Sequence, residues 1–435
     1  MTTASAITPI SIEKETIAKL RIRILPFLCL LYLVAFLDRI NISFAALTMN
    51  KELGITSQQF GLLAGIFFFG YFLFEIPSNL LLHKIGARTW IARILISWGI
   101  VAMLTAFVHS VHQLYLLRFV LGVAEAGFFP GIVLYLTYWF RQRDQAQTIA
   151  IFMTALPVAS ILGAPISGLI LDHVRWLGFS SWRWLLILEA VPAIGCGVLT
   201  YFVLPNRPTD AKFLTPDEKS WIAGELTREE LLKGKENQIS AIGALANKRV
   251  WSLACIGLTW NIGTYATIFW LPQIVKSSPS KYSNTMVGGL VMIPYLVGVV
   301  AMVLVSRSSD RKRERRFHAA IPMIIGGIVL VLLGRIGSPL LVIAFLSVAV
   351  AGVYSFCGPF FSLPGEFLSG FSAASGIALI NSIANLGGFI GPYTIGVISQ
   401  RTGSLYGGLA LAGVSLFVSA TLMLVLLKRT ETSVH

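Results

Sequence analysis

Long apolar runs set the strongest limit on how this chain of 435 residues can fold. The first run, residues 24–48, is interrupted by charge only at Asp38 and Arg39, and eleven comparable runs follow. About 20 apolar residues are needed to cross the hydrocarbon core of a bilayer as an α-helix. Lipid offers the backbone no hydrogen bonds, and the runs are too continuous for the alternating strands of a barrel. The pattern therefore predicts an all-α membrane protein.

Twelve transmembrane helices are predicted, and one polar connection divides them into two six-helix bundles. The connection, residues 205–248, separates an N-terminal bundle, residues 1–204, from a C-terminal bundle, residues 249–435. Two such repeats with a site between them form a known transporter plan. The predicted spans are residues 24–48, 57–82, 89–109, 113–139, 147–171, 182–204, 249–274, 284–306, 317–336, 339–363, 372–398 and 405–428.

The polar connection contains the start signal of a short amphipathic helix. In the stretch Thr215-Pro216-Asp217-Glu218, Thr215 is a favourable N-cap and Pro216 suits the first turn. Glu218 stands three residues after the cap, as in a capping box. The helix should end before Gly234, and we expect it to act as a structured cytoplasmic linker.

The basic residues predict the orientation in the membrane. A formal net charge of +14 could indicate a nucleic-acid-binding protein, but 25 of the 34 lysines and arginines lie in alternate gaps between the apolar runs. Only seven lie in the other gaps. Cytoplasmic loops carry this excess of positive charge. We therefore expect a protein of the inner (plasma) membrane, surrounded by lipid, with both termini in the cytoplasm and no nucleic acid partner.

Signals of enzymes and metal sites are missing from the sequence. It contains no phosphate-binding loop, zinc-ligand spacing or nucleophile elbow, and its four cysteines lie inside apolar runs. We therefore expect neither an enzyme nor ATP-driven transport by this chain, and neither a cofactor nor a metal.

Ionisable residues inside the spans are the main candidates for chemistry, because burying them in a bilayer is costly. Asp38 lies about 21 Å of helical rise from the inner face, and Arg39 points about 100° away around the helix. Arg118 and Glu125 are two turns apart on span four and share a face. We expect all four to line one cavity. Ion pairs that only fasten helices are the alternative.

Such a cavity offers a way to couple protons to an anion. An arginine fork binds a carboxylate in a bidentate manner. Burial favours the neutral form of an acid, whereas a nearby arginine favours the charged form. An anion that reaches the arginine deprives the acid of its partner and promotes protonation, and this coupling is reciprocal.

Further polar side chains lie at the depth of the expected cavity. Asn381 and Asn385 stand four residues apart and therefore on one helix face. Each candidate could instead form a hydrogen bond between helices. Glu75, near the inner end of span two, is expected to have a structural or gating role, and Glu189 to form a packing hydrogen bond. The candidates are Tyr71, Asn261, Thr264, Tyr265, Tyr354, Ser362, Asn381 and Asn385.

Several stretches resemble the anion:cation symporter family of the major facilitator superfamily. They are LDRINI (37–42), IPSNL (76–80), RF (118–119), EAGFFPG (125–131), WLPQ (270–273) and NSIANLGGF (381–389). The likeness covers nearly the whole chain. Within the family, the chain resembles bacterial tartrate and phthalate permeases. The resemblance implies proton-driven import of a small organic anion by alternating access. We also expect the carrier to function as a monomer. Tartrate, sugar acids and aromatic carboxylates are the implied substrates.

The resemblance also implies roles for individual residues. Asp38 and Glu125 match the proton carriers, Arg39 and Arg118 match the residues that govern the anion and the ion pairs, and Tyr71 matches a substrate contact.

The loop after span two departs from the superfamily signature. An acid usually precedes its basic residue, but that place holds His83, whereas Asp310 keeps the acid after span eight. The expected gating residues at the inner face are Glu75, Arg88, Asp310 and Arg311.

Other functions stay open at this point. Leu156 stands where sugar-acid carriers have glutamine, which argues for a less hydroxylated substrate. An anion exchanger without net proton flux is one alternative, although it would not need two buried acids. A membrane receptor that binds the anion is a second alternative, but the sequence shows no soluble domain through which it could signal. A drug-efflux pump would carry a proline-glycine signature that is only partly present, at Gly163, Pro165 and Gly168.

Overall fold

A computed structural model describes residues 9–236, 247–278, 280–364 and 370–427, which form α-helices, short 3-10 turns and no strands. Ten of its stretches are long and apolar enough to cross a membrane. The protein is therefore an all-α, multi-pass membrane protein. These stretches are Ile12–Glu52, Ser57–Leu82, Ala87–Thr105, Val111–Thr137, Gln142–His173, Ser181–Val203, Asn284–Lys312, Arg316–Arg335, Pro339–Ser362 and Leu405–Leu426.

We number the helices in chain order. They are α1 (Pro9–Glu52), α2 (Ser57–Ile85), α3 (Ala87–Thr105), α4 (Val111–Glu125), α5 (Phe128–Thr137), α6 (Gln142–Met153), α7 (Ala155–His173), α8 (Ser181–Val203), α9 (Pro216–Glu236), α10 (Lys248–Lys276), α11 (Asn284–Lys312), α12 (Arg316–Leu332), α13 (Pro339–Ser355), α14 (Cys357–Ser362), α15 (Gly370–Thr402) and α16 (Leu405–Leu426). Short 3-10 turns occupy Trp176–Gly178, Pro208–Asp210 and Leu333–Arg335.

Helices α10 and α15 coincide with predicted spans seven and eleven but are not among the ten stretches above. Both carry polar side chains that face the protein interior, Asn261 and Thr264 on α10 and Asn385 on α15. Helices that pack inside a bundle and line a cavity tolerate such groups better than helices in lipid. The count of twelve spans therefore stays a prediction.

Three predicted spans contain breaks that the sequence analysis did not anticipate. Span four divides into α4 and α5 at Gly127, whose φ of +83° is in the left-handed region that glycine adopts readily. Span five divides at Thr154 and span ten at Phe356. In both cases a proline follows three residues later and cannot donate the helical hydrogen bond to the turn before it. The proline residues are Pro157 and Pro359.

The linker helix α9 begins as predicted. The backbone N–H of Thr215 donates to Oε2 of Glu218 at 2.9 Å, and that of Glu218 donates to Oγ1 of Thr215 at 3.3 Å. This arrangement confirms the capping box. The helix runs to Glu236 rather than ending before Gly234. The rest of the predicted connection, residues 237–246, lies outside the described residues.

We call helices α1–α8 the first half of the chain and helices α10–α16 the second half. Ion pairs attach α9 to the first half. Lys19 Nζ on α1 lies 2.6 Å from Oε1 of Glu218. The buried Arg141 contacts Glu13 of α1 at 3.1 Å and Glu225 of α9 at 3.5 Å. The start of α1, the turn before α6 and the linker helix therefore meet at one end of the bundle, which we call the linker end.

The two halves are in close contact at the other end, which we call the opposite end. The carboxylate of Asp172 at the end of α7 accepts hydrogen bonds from Nδ2 of Asn284 at 2.8 Å and from the backbone N–H of Thr285 at 2.7 Å. A Cβ added at Gly168 would lie 2.4 Å from the Asn284 carbonyl oxygen, and one at Gly288 equally close to that of Ala164. Small residues therefore allow α7 and α11 to touch through their backbones.

Candidate functional site

A cavity of about 80 Å³ lies between the two halves. Of the described side chains that line it, Arg39 is the only charged one, and most others are aromatic or carry an amide. Eight predicted site residues line it together: Arg39, Tyr71, Asn261, Thr264, Tyr265, Tyr354, Asn381 and Asn385. The other described lining residues are Tyr32, Phe36, Phe129, Met153, Leu156, Trp260, Ile268, Val353, Cys357 and Phe361.

Arg39 holds the charge of the cavity wall and is ion-paired with Glu125. Its Nη2 donates to Oε1 of Glu125, whose side chain is buried behind it. The break at Gly127 ends α4 directly after Glu125 and so places this carboxylate at the end of a half-span. Tyr265, from the second half, also interacts with the guanidinium. The same arginine therefore faces the cavity, a buried acid and the second half of the chain.

Phe67 on α2 lies between two arginines. Its ring centre is 5.3 Å from Cζ of Arg39 and 5.3 Å from Cζ of Arg118. The Tyr71 ring centre is 5.7 Å from Arg39. Aromatic faces stabilise cations at these distances. Sequence reasoning missed Phe67, although it stands one helical turn before Tyr71 and therefore on the same face.

Arg118 is buried without a full set of partners. Its side chain is only 2% exposed, and its Nε and Nη2 find no hydrogen-bond acceptor among the described residues. A buried donor without an acceptor is costly, the more so when it is charged. Arg118 does not line the cavity, so its contribution there in this conformation comes from its charge.

Asp38 faces away from the cavity. Its Oδ2 accepts a hydrogen bond from Nε1 of Trp98 at 2.7 Å, and its Oδ1 accepts one from Nδ2 of Asn41 at 3.1 Å. The expectation that all four charged residues line one cavity is therefore wrong for this conformation, in which only Arg39 does. The reason is the rotation of about 100° per residue along a helix, which directs Arg39 to the cavity and Asp38 to α3.

Glu75 connects the two halves. It is fully buried, and its carboxylate accepts hydrogen bonds from Nδ2 of Asn381 at 2.8 Å and from Oγ of Ser382 at 2.7 Å. Glu75 itself does not line the cavity, but Asn381 does. A contact that crosses between the halves next to the cavity must change when they move apart.

Comparison with known proteins identifies the family at this point. The sequence pattern described as Major Facilitator Superfamily matches residues 28–392. The chain belongs to this superfamily. Its members are transporters and not enzymes, and the predicted resemblance is confirmed.

Two relatives of this major facilitator protein are similar over nearly their full length. A protein of Agrobacterium vitis named "Putative tartrate transporter" is 47% identical over 415 residues, which are 95% of this chain and 95% of that protein. A protein of Pseudomonas putida named "Putative metabolite transport protein NicT" is 40% identical, over 95% of this chain and 94% of that protein. The first name agrees with the resemblance to anion permeases, and the second names a metabolite transporter.

The fold of the major facilitator protein matches solved structures at low sequence identity. The Escherichia coli xylose transporter XylE, in a partially occluded inward-open conformation, superposes with a TM-score of 0.73 at 14% identity. The match covers 95% of this chain and 99% of that one. This similarity establishes the fold.

Two of the transporter's predicted gating positions do not connect the halves in this structure. Asp310 pairs with Arg315, five residues along the chain, rather than with Arg311. Arg311 is exposed and has no ion pair within the described part of the chain. The acid that the superfamily signature predicts after span eight therefore makes a local contact here.

Arg88 also makes contacts within its own half and with the connection that follows it. Its Cζ lies 4.7 Å from the ring centre of Tyr201, and its backbone N–H donates to Oδ1 of Asn206 at 3.1 Å. The side chain of His83, which replaces the signature acid, lies outside the described part of the structure. Of the four predicted gating residues, Glu75 is thus the one that the structure brings into contact with the other half.

Glu189 on α8 accepts a hydrogen bond from Oγ of Ser167 on α7 at 2.8 Å. This contact confirms the expected packing hydrogen bond between helices. The other carboxyl oxygen, Oε2, is buried and has no hydrogen-bond partner among the residues described. The packing hydrogen bond therefore accounts for only one of the two carboxyl oxygens.

Proposed function

We propose that this major facilitator protein is a proton-coupled symporter that imports a small organic anion by alternating access. The observation that carries the proposal is the pairing of Arg39 with Glu125, in which the arginine faces the cavity and the acid lies behind it. The same guanidinium can bind either the carboxylate of the substrate or that of the protein, and this competition is the proposed coupling.

The coupling follows from the cost of an unpaired buried charge. When a substrate carboxylate binds the guanidinium fork of Arg39, Glu125 loses its counter-ion. A buried carboxylate without a partner is costly, so Glu125 takes up a proton. When the proton leaves at the other side of the membrane, Glu125 pairs with Arg39 again and displaces the anion. Binding of either ligand thus favours binding of the other.

Arg118 and Asp38 complete the proposed machinery. Arg118 lies beside Phe67 and close enough to Glu125 and Asp38 for its charge to act on both carboxyl groups. Because several of its donors are free, it can approach the anion when the helices move. Asp38 is proposed as the second proton carrier, since its partners Trp98 and Asn41 are neutral and supply no counter-charge.

Substrate recognition is proposed to come from both halves. Arg39 and Tyr71 contribute from the first, and Asn261, Tyr265, Tyr354, Asn381 and Asn385 contribute from the second. A cavity of about 80 Å³ holds a few water molecules. An anion with the ten non-hydrogen atoms of tartrate therefore enters only after the halves separate, which agrees with alternating access around a central site.

The proposed movement opens the linker end. The opposite end is held by the contacts of Asp172 with Asn284 and Thr285. Glu75 is proposed as the main latch on the other side of the cavity, with Arg88, Asp310 and Arg311 forming gate contacts in other conformations. The linker end is proposed to face the cytoplasm of a plasma-membrane protein, because most basic residues belong to it.

The proposed domains follow the predicted division of the chain. Residues 1–204 and 249–435 are two bundles of six membrane-spanning helices, and residues 205–248 connect them. Helices α10 and α15 are counted as spans, since their lengths of 29 and 33 residues exceed what a bilayer requires. The carrier is proposed to function as a monomer, because the cavity is built within one chain.

The similarity to a protein named as a tartrate transporter supports a hydroxy-dicarboxylate as substrate. The aromatic lining and Leu156 support an aromatic carboxylate, and a sugar acid is the third class. A thermal-shift screen with tartrate, gluconate and phthalate separates these classes, because a ligand that binds the folded protein raises its melting temperature.

The function is tested with protein reconstituted in vesicles and the anion that the screen selects. An imposed inward proton gradient should drive accumulation of the labelled anion above its external concentration. Accumulation that requires a counter-anion inside and ignores the proton gradient would instead identify an exchanger.

A further inference from the structure

A second buried acid lies next to Asp38 and has no part in the mechanism above. Asp38 on α1 is 2% exposed and Glu189 on α8 is 6% exposed. Asn41 lies one turn after Asp38 and close to both carboxyl groups. Its Nδ2 donates to Oδ1 of Asp38 at 3.1 Å, and the same amide interacts with Glu189.

The surroundings of the two carboxyl groups are almost free of positive charge. The direct partners are the indole of Trp98, the hydroxyl of Ser167 and the amide of Asn41, all of them neutral. Within the described part of the chain, neither acid forms an ion pair. The charged groups that act most strongly on Asp38 are Glu189 on α8 and both Glu125 and Arg118 on α4.

Glu189 faces only neutral contacts apart from its neighbour Asp38. The hydroxyl of Ser167 on α7 is its hydrogen-bond partner, the amide of Asn41 on α1 lies near it, and no basic side chain acts on it among the residues described. Two carboxylates that share one small buried site cannot both ionise without a large repulsion. Aspartic acids that share a site behave in this way and titrate as a pair.

Two buried polar atoms near Asp38 have no hydrogen-bond partner in the described part of the chain and could take part in a hydrogen bond from a protonated carboxyl group. Oε2 of Glu189 and Oδ1 of Asn41 are both buried and lack hydrogen bonds to any described residue. Asn41 Oδ1 is an acceptor that needs a donor, and a protonated carboxyl group supplies an O–H. In its deprotonated form Glu189 offers only further acceptors to this site.

We propose that Asp38, Asn41 and Glu189 form one proton-binding unit, in which the two carboxyl groups bind protons as a pair and hold at most one negative charge. Glu189 is therefore a positioning residue for the proton on Asp38 and not only a packing contact between α7 and α8. The proposal rests on the proposed function where it assigns transport to the proton on Asp38. The unit itself is a property of the resting protein.

Infrared spectroscopy of the purified protein tests the unit without any transport. At neutral pH the wild type should show an absorption band of a protonated, buried carboxyl group. The band should be altered in Glu189→Gln and in Asp38→Asn, and lost in the double variant. A spectrum in which both single variants match the wild type, or in which the wild type has no such band, would overturn the proposal.

A transport assay then tests whether the acid pair takes part in proton coupling. Glu189→Gln removes the neighbouring acid, so the proton-driven uptake should become half-maximal at a pH about one unit lower, while exchange of anion without net proton flux continues. Ser167→Ala is the matched control, because it removes the packing hydrogen bond and keeps the carboxyl group. An equal shift in both variants, or none in Glu189→Gln, would reduce Glu189 to a packing residue and overturn the proposal.

The two tests also separate this proposal from the proposed function. Suppose that the wild type shows the carboxyl band and that the band changes in Glu189→Gln, but that vesicles do not accumulate anion under a proton gradient. Symport is then wrong and the acid pair stands. If accumulation occurs and the band is absent, symport stands and the acid pair is wrong.

Discussion

Arg39 and Glu125 form an ion pair at the wall of the central cavity, and only the arginine faces the space that a substrate would occupy. The pair connects α1 to the end of α4, where the left-handed turn at Gly127 breaks the span. Because a buried ion pair contributes little to stability compared with apolar packing, its position at the cavity agrees with a role in transport.

The first prediction concerns Glu125→Gln, which should uncouple the carrier. Glutamine keeps the size and a hydrogen bond to Arg39 but neither binds a transported proton nor competes as an anion. Gradient-driven accumulation should fall by at least about tenfold, equal to about 1.4 kcal/mol of coupling free energy, while counterflow continues. The control is Glu225→Gln, which changes an acid at the linker end, and this variant should accumulate anion normally. Normal accumulation by Glu125→Gln would remove it from the coupling step.

The second prediction concerns Arg39→Lys, which keeps the positive charge and removes the fork. A lysine offers a point charge and cannot bind a carboxylate in a bidentate manner. The apparent dissociation constant for the anion should rise about ten- to a hundredfold, equal to about 1.5–3 kcal/mol for a hydrogen bond to a charged group. Equilibrium binding of labelled anion measures it. Arg143→Lys, at a site 61% exposed at the linker end, is the matched control. Equal affinity of both variants would place the anion elsewhere.

Much of the fold follows from local sequence patterns. Apolar runs have the length that a bilayer demands, and the capping box at Thr215 is complete within four residues. Eight of the predicted site residues meet at one cavity, because polar groups inside spans are too costly to face lipid.

The remaining features depend on contacts between distant parts of the chain. Spacing along α1 predicts that the side chains of Asp38 and Arg39 point in different directions. It does not predict that the indole of Trp98 on α3 donates a hydrogen bond to Asp38. The break at Gly127 depends on tight packing as well, because a Cβ there would lie 2.5 Å from Oγ of Ser78. Phe67 was missed because a phenylalanine inside an apolar run carries no signal of the two arginines beside it.

The third prediction concerns the latch at Glu75. Glu75→Ala removes both hydrogen bonds to α15, and a hydrogen bond contributes about 0.5–1.5 kcal/mol. The halves should open more often, and the thiol of Cys357, which lines the cavity, should react with a water-soluble maleimide at least about tenfold faster. The assay needs a variant in which the other three cysteines are serine. Glu314→Gln, outside the interface, is the control. An unchanged rate would mean that Glu75 does not hold the halves together.

The fourth prediction concerns pH and the linker helix. Burial opposes the charged form of Glu218, but the contacts with Lys19 and Thr215 outweigh it and hold the pKa of this carboxyl below its usual range. Its stabilising effect is therefore present above the usual carboxyl pKa of about 4.3 and is lost as the pH falls through the lower, folded-state pKa. The melting temperature of Glu218→Gln should lie below that of the wild type at pH 7, and the difference should vanish in acid. A difference that does not depend on pH would contradict the ion pair as its cause.

The most direct measurement is the number of protons taken up when the anion binds to purified protein in weakly buffered solution near neutral pH. Calorimetry in buffers of different ionisation enthalpy gives this number for the anion that the thermal-shift screen selects. If substrate and Glu125 compete for Arg39, the wild type should take up about one proton per anion bound, and Glu125→Gln should bind the anion with almost no proton uptake. Binding by the wild type without proton uptake, or equal uptake by the variant, would contradict the account.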